Sequence, residues 1–532
     1  MFMKYKILNP IKLFIIFFLI FQTTNTYSQN SKQVKDLTIL YTNDFHSAFD
    51  PIPAYWLKGT PKLGGAAALS SLINRFRKKD KNVFLFDSGD MFTGMISNLT
   101  KGGALMEMMR KMHYDAMTIG NHEFDYGSKN FSTQMNKVPF PVLGANIYYK
   151  GTDHPYSRPY TIIERNGIKI GVIGIIGQDA RSVALPSGIT NLDFYDPIPV
   201  VRKYVKILKP QVDLIVVLAH QGKTGPMQTD AEARPELQRD FDEDIKLTTE
   251  VKGINVFIGG HAHRGIEKPY VNKKTGTIIL QTYGYGTRLG YLKLKIKDNK
   301  IVSFNGRLIK VWSDKIKPDT VIAKMLSSYK KEFAPKIGIV VGNLKTRLVR
   351  EYNLESPLGD FVADVMLTST GAQVAFENAG GLRADLPEGN VTNGDVLNAL
   401  PFYNTLVTSM LSGKQIKKIL EQGFTLERGM IQVAGIKAKY NLDKPIGNRL
   451  MELLIDNQPV KDNKLYKVAT NNFLGQGGDL YLTFLKSKQI DTGKSLSDMV
   501  IDYLKKAKVV NAPKKGRLIP VKLKSEKSTH TL

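Results

Sequence analysis

Five of the chain's eight histidines share one setting. His46, His122, His220, His261 and His263 each stand at or just past the end of a short apolar run, and oxygen donors accompany them. Asp44 is two residues before His46, Asn121 and Glu123 flank His122, and Asp87 and Asp90 close another such run. Imidazole, carboxylate and carboxamide oxygen are the donors that divalent metals take when they act on phosphate, where two ions can share one bridging carboxylate. A lone histidine in such a place is ordinarily a hydrogen-bonded core or surface residue. Five placed alike point to a metal centre.

The runs that carry these residues predict strands: Leu37 to Tyr41, Val83 to Phe86, Ala116 to Ile119, Val212 to Ala219 and Ile254 to Ile258. From Lys35 to about Ser313 they alternate with helical stretches such as Gly65 to Lys79 and Gly103 to His113, the pattern of an α/β layered domain. Loops leaving the carboxyl ends of such strands converge on one edge, which would deliver all the donors to one place. Further on, Val321, Ile322, Met325, Leu326 and Tyr329 recur at helical spacing and predict a single helix over 317–335, stopped by Pro335. The remainder, 336–523, reads as mixed α and β with Gly-rich turns at Asn378 to Gly381 and Gly475 to Gly478. At 532 residues the chain is too long for one core, and two large domains are expected.

Asp44-x-His46, Gly89-Asp90 after Asp87, Gly120-Asn121-His122-Glu123 and Gly260-His261-x-His263 resemble the motifs of the calcineurin-like metallophosphoesterases. The fuller pattern is similar to the 5'-nucleotidase family, over nearly the whole mature chain. That resemblance implies an α/β protein with an N-terminal four-layer metallophosphoesterase β-sandwich flanked by helices (35–316), a linker helix (317–335), a C-terminal α+β nucleotide-binding domain (336–523) and a tail (524–532). It implies two divalent ions, one on Asp44, His46 and His263, the other on Asn121, His220 and His261, with Asp87 bridging them. Zinc, manganese, cobalt and iron all suit such ligands. His122 and Asp125 match the family's catalytic pair, in which an imidazole beside the metals stabilises charge on the phosphate oxygens and the carboxylate orients the ring. Asp90 and Glu123 are read as supporting groups.

In the second domain, Asn378-Ala379-Gly380-Gly381-Leu382-Arg383 resembles the segment whose arginine reaches the substrate's anionic groups, a task suited to a forked guanidinium. Phe402 and Phe473 match the two rings between which the family stacks a nucleobase, and Asp479 matches the carboxylate on the ribose hydroxyls. Arg347 and Arg350 lie where the family often carries further arginines, and spacing leaves open whether either faces the site. The linker helix implies domain rotation. The activity implied is hydrolysis of 5'-nucleotides to nucleoside and phosphate, with UDP-sugar or dinucleotide pyrophosphatase and 2',3'-cyclic phosphodiesterase activity as alternatives. A non-catalytic nucleotide-binding protein is the reading from another class.

Lys4, Lys6 and Lys12 followed by the apolar run Leu13 to Phe21 read as a secretory signal peptide, 1–28, too short in its apolar part for the ~20 residues that span a bilayer. The chain has no cysteine, which excludes disulfides and a lipoprotein-type anchor. A periplasmic or secreted protein without a membrane anchor is expected. The net charge of +27 is scattered among acids and forms no concentrated stripe, so nucleotides rather than nucleic acid are the expected partners.

Overall fold

The computed structural model describes residues 34–54, 57–223 and 242–521. The leader read at 1–28 and the tail at 524–532 lie outside the described residues.

Two six-stranded sheets stand face to face. In the first, Lys35–Thr42, Val83–Asp87, Ala116–Thr118 and Val142–Leu143 run parallel, and Arg288–Lys297 and Lys300–Lys310 complete it as antiparallel strands. In the second, Ile168–Ile176, Leu214–His220, Val256–Ile258 and Ile278–Leu280 run parallel, with Tyr160–Arg165 and Tyr270–Val271 antiparallel at its edges. The sequence requires this arrangement because its strands are apolar on both faces. Leu214–His220 is buried at every residue, and so is Ile168–Ile176 apart from Lys169.

Tyr41, Phe84, Ile170, Val216 and Leu218 fill the space between the sheets. Outside the first sheet the helices Ala66–Lys79 and Gly103–Lys111 cover a second core. Outside the other, Pro197–Leu208 and Asp242–Glu250 cover a third. The result is the four-layer α/β/β/α sandwich that the sequence analysis expected.

The helix Thr320–Ile337 follows, capped by Asp319, whose carboxylate accepts from Val321 N and Ile322 N. Asp319 also accepts from Ser70 and Asn74, and Tyr329 donates to Glu107, so this helix is fastened along the first domain. Pro335 does not stop it. The ring removes a single hydrogen bond, that to the carbonyl of Lys331, at an exposed position in the helix's last turn.

The second domain is built on a five-stranded sheet in the order Gln432–Ala434, Val374–Glu377, Leu465–Asn471, Thr405–Ser412, Gln489–Ser495. Pro357–Thr370 and Leu496–Ala507 cover one face and Gly413–Gly423 the other. No helix among the described residues is long and apolar enough to cross a membrane.

Because Leu218 is fully buried between the two sheets, Leu218→Ala is expected to destabilise the first domain by about 2–5 kcal/mol, read from chemical denaturation.

Candidate active site

The carboxyl ends of strands from both sheets meet at one edge of the sandwich. Lys35–Thr42 leads to Asp44 and His46, Val83–Asp87 to Asp90, and Ala116–Thr118 to Asn121 and His122. From the facing sheet, Leu214–His220 ends on His220 itself and Val256–Ile258 leads to His261 and His263. The turns that present these side chains are tight. Asp44, His46, Asp90, His261 and His263 all adopt positive φ, between 47° and 69°. Left-handed backbone costs a non-glycine residue on the order of 1 kcal/mol or more, so the fold holds five such residues against their local preference.

Two groups of donors result. Nε2 of His46 lies 3.0 Å from Nε2 of His263, and Asp44 Oδ1 lies 3.2 Å from the latter and 3.9 Å from the former. Beside them, His220 Nε2 lies 3.1 Å from Asp90 Oδ2 and 3.2 Å from Asn121 Oδ1, with His261 completing the group. His220 donates through Nδ1 to the carbonyl of Ser88 at 2.7 Å, which turns Nε2 toward the cluster. Nδ1 of His261 is buried and without a hydrogen-bond partner. Convergent oxygens and imidazole nitrogens, with an orphaned buried nitrogen among them, fit divalent cations.

Electrostatics agree with a site built around positive charge. Burial works against the ionised Asp90, but His220 and His122 hold its carboxyl well below the usual range. Burial would likewise lower His220, yet Asp90 pushes it up to about 10. His46 is held well below the ordinary histidine value by burial and by the neighbouring His263 and Arg383.

Asp87 departs from expectation. One of its oxygens accepts from Thr42 Oγ1 at 2.6 Å and the other from Gly89 N at 2.8 Å. Burial pushes its carboxyl well above the usual range, and it takes no part in either donor group. The position among the imidazoles belongs to Asp90. Gly89, at φ 87°, reverses the chain after the strand and turns Asp90 inward, leaving Asp87 to face the neighbouring strand.

His122 and Asp125 sit beside the cluster, with His122 Nδ1 3.0 and 3.1 Å from the two carboxylate oxygens. Asp125 thus fixes the orientation of the ring, and His122 N donates to Asp90 Oδ1 at 2.9 Å. Glu123 is a support: its buried carboxylate accepts from the backbone N–H groups of Gly120, Asp90, Met91 and Phe92 at 2.7 to 3.2 Å, which pins the Asp90 loop to the His122 turn.

The second domain closes over this edge and leaves a cleft between the two that opens to solvent. All five residues expected to meet substrate, Asn378, Arg383, Phe402, Phe473 and Asp479, line it together with His46, Asp90, Asn121, His122 and His263. Phe402 stacks on His122 with ring centroids 5.4 Å apart, and the Arg383 guanidinium lies 5.5 Å from the centroid of the same Phe402 ring. Asn378 donates to Asp479 at 3.3 Å and is itself held by Asn471 at 2.9 Å. Arg347 pairs instead with Asp385 at 2.6 Å, Arg350 N donates to the same carboxylate, and neither arginine lines the cleft. Tyr352 and Asn404 do, and so do Val183 and Leu185 of the first domain; no motif distinguishes these four in the sequence.

Comparisons with known proteins agree with this geometry. Residues 37–265 match the calcineurin-like phosphoesterase family model and residues 340–487 that of the 5'-nucleotidase C-terminal domain. The chain is 29% identical to a 5'-nucleotidase of Diplobatis ommata, covering 91% of this chain and 89% of that one. It is 30% identical to a trifunctional nucleotide phosphoesterase of Bacillus subtilis, over 91% of this chain but only 35% of that protein's length. The solved structure of a 5'-nucleotidase precursor from Thermus thermophilus superposes with a TM-score of 0.80 at 28% identity, covering 92% of this chain and 100% of that one.

Glu123→Gln replaces an oxygen that accepts backbone N–H groups with an amide NH2 that repels them. It is expected to weaken binding of divalent metal by ~10–100-fold, measured by competition with a chelating dye.

Proposed function

The chain belongs to the 5'-nucleotidase family of metal-dependent phosphoric ester hydrolases, and from that premise we propose that it hydrolyses nucleoside 5'-monophosphates to nucleoside and phosphate at a two-metal centre. The observation that carries this reading is that a single cleft joins the donor cluster of one domain to the aromatic rings, arginine and carboxylate of the other.

Asp44, His46 and His263 would hold one divalent ion and Asn121, His220 and His261 the other, with Asp90 rather than Asp87 between them. Zinc, manganese, cobalt and iron each suit that donor set. Bound there, the ions would supply a nucleophile from water and neutralise charge on the phosphate. Arg383 would take a phosphate oxygen through its guanidinium fork, with one terminal nitrogen buried and unpartnered in the protein. His122, oriented by Asp125, would donate toward the oxygen on which charge develops. Phe402 and Phe473 would take the base, and Asp479 the ribose hydroxyls, which tolerates any base because each has a flat π-face.

Arg383 is the one arginine lining the cleft among the described residues, and no lysine does so. A single fork supports a monoester over a longer phosphate chain. The leader pattern supports a protein exported from the cytoplasm.

The test is hydrolysis of AMP, ATP, UDP-glucose and 2',3'-cyclic AMP by metal-stripped protein, before and after adding zinc, manganese or cobalt, with products resolved by chromatography. Restored release of phosphate, greatest for AMP, is expected; silence on every substrate with every metal would overturn the reading. Asp90→Asn is expected to lose binding of both ions, whereas Asp87→Asn keeps both, as metal analysis after gel filtration would report. His122→Ala should lower kcat by ~10²–10⁴ with little change in KM, and Phe473→Ala should chiefly raise KM.

A further inference from the structure

Asp179, on the short helix Gln178–Val183 of the first domain, meets Arg428 of the second across 249 residues of sequence. The guanidinium forks onto the carboxylate, Nη2 to Oδ1 at 2.6 Å and Nη1 to Oδ2 at 3.0 Å, and Nη2 also donates to Ser182 Oγ at 3.2 Å. The two side chains, Arg428 and Asp179, are only 6% and 15% exposed, whereas another ion pair between the domains, Lys223 with Glu427, is 60% and 49% exposed and correspondingly weak. A buried pair between two folded bodies pays for its desolvation only when its geometry is this complete.

The pair does not end at the domain boundary. Asp179 Oδ2 also lies 3.3 Å from Nε2 of His261. Gripped by the guanidinium fork, the Asp179 carboxylate is ionised and can only accept. Nε2 of His261 therefore carries the hydrogen, and the lone pair stands on Nδ1. That nitrogen is buried and meets no hydrogen-bond partner in the protein, while the His220 ring lies 5.0 Å away and Asp90 completes the donor group. An outer carboxylate that fixes the tautomer and angle of a ligating histidine raises the affinity of the site it serves.

We propose that Arg428 reaches from the substrate-binding domain to hold Asp179 against His261, so that docking of the second domain tightens the metal site containing His220 and His261. The inference rests on the reading of this cluster as a two-metal centre. Arg428 and Asp179 are positioning residues, since neither lines the cleft. Coupling of this kind is reciprocal: a metal ion bound at His261 would favour the docked arrangement of the domains by the same factor.

The experiment measures Zn²⁺ binding to the full chain by competition with a chelating dye, without substrate, in the native sequence and in Asp179→Asn, Arg428→Gln, Arg428→Lys and the Asp179→Asn/Arg428→Gln double variant. The native protein should bind two ions. Asp179→Asn is expected to weaken one of them by ~10–100-fold and spare the other. Arg428→Gln should weaken the same ion by a smaller factor, Arg428→Lys should recover part of it, and Arg428→Gln should add nothing once Asp179 is already Asn.

Native affinity for both ions in Arg428→Gln would overturn the proposal, and so would an undiminished effect of Arg428→Gln in the Asp179→Asn background. Should Asp179→Asn not fold, the comparison of Gln with Lys at position 428 decides: equal loss in both means that the arginine does not act through its charge on Asp179. A native protein that binds fewer than two ions would instead remove the two-metal reading itself.

Discussion

Four carboxylates, Asp44, Asp87, Asp90 and Glu123, are buried within a few residues of five imidazoles at the junction of two sheets, and the molecule is organised around making that tolerable. An ionised carboxylate out of water is costly unless paired or richly hydrogen-bonded. Each of the four is compensated differently. Glu123 collects four backbone N–H groups, Asp90 is flanked by His220 and His122, and Asp44 accepts from Asn43 and from His261 N. Asp87 accepts from Thr42 Oγ1 and Gly89 N, and burial pushes its carboxyl well above the usual range. What remains is a pair of imidazole nitrogens, Nε2 of His46 and of His263, turned toward one another at 3.0 Å, where a cation could take the place of a shared proton. The strained turns persist because two rigid sheets, packed through a continuous apolar layer, fix the strand end from which each loop departs.

Much of this was legible in the sequence because the donors follow apolar runs, and a fully buried strand announces itself by such a run. The two-sheet sandwich and the gathering of Asp44, His46, Asn121, His220, His261 and His263 follow from that placement. The choice between Asp87 and Asp90 does not. Both occupy Asp87-Ser88-Gly89-Asp90, and which one turns inward depends on the left-handed Gly89, a dihedral that spacing cannot reveal. Pro335 misled because it falls in the last turn of a helix that ends at Ile337, where the ring costs a single hydrogen bond. Arg347 differs from Arg383 in its partner: Asp385, far from it in sequence, holds the guanidinium away from the cleft and also fixes the backbone of Arg350.

The division between domains follows from what each kind of site requires. A metal centre needs donors fixed to fractions of an ångström, which strand ends anchored in a double sheet provide. The residues proposed for base and ribose lie instead on loops of a second body. The two meet where Phe402 stacks on His122, with the Arg383 guanidinium also close to the Phe402 ring, so the residues proposed for base, charge stabilisation and phosphate stand side by side. A change in the position of one domain must alter the environment of the His122 ring directly.

A buried ion pair is weak as an adhesive, because desolvation cancels most of its attraction, but it specifies register well. Misplacing the second domain by a few ångströms would strand both Asp179 and Arg428 without partners in low dielectric, a penalty far larger than the loss of an apolar contact of the same size. The pair therefore discriminates against near-docked arrangements in which the aromatic rings would cover the cleft while His261 was poorly aimed. Its third member makes that discrimination chemical: in the docked geometry the carboxylate that satisfies the guanidinium fork also faces Nε2 of His261.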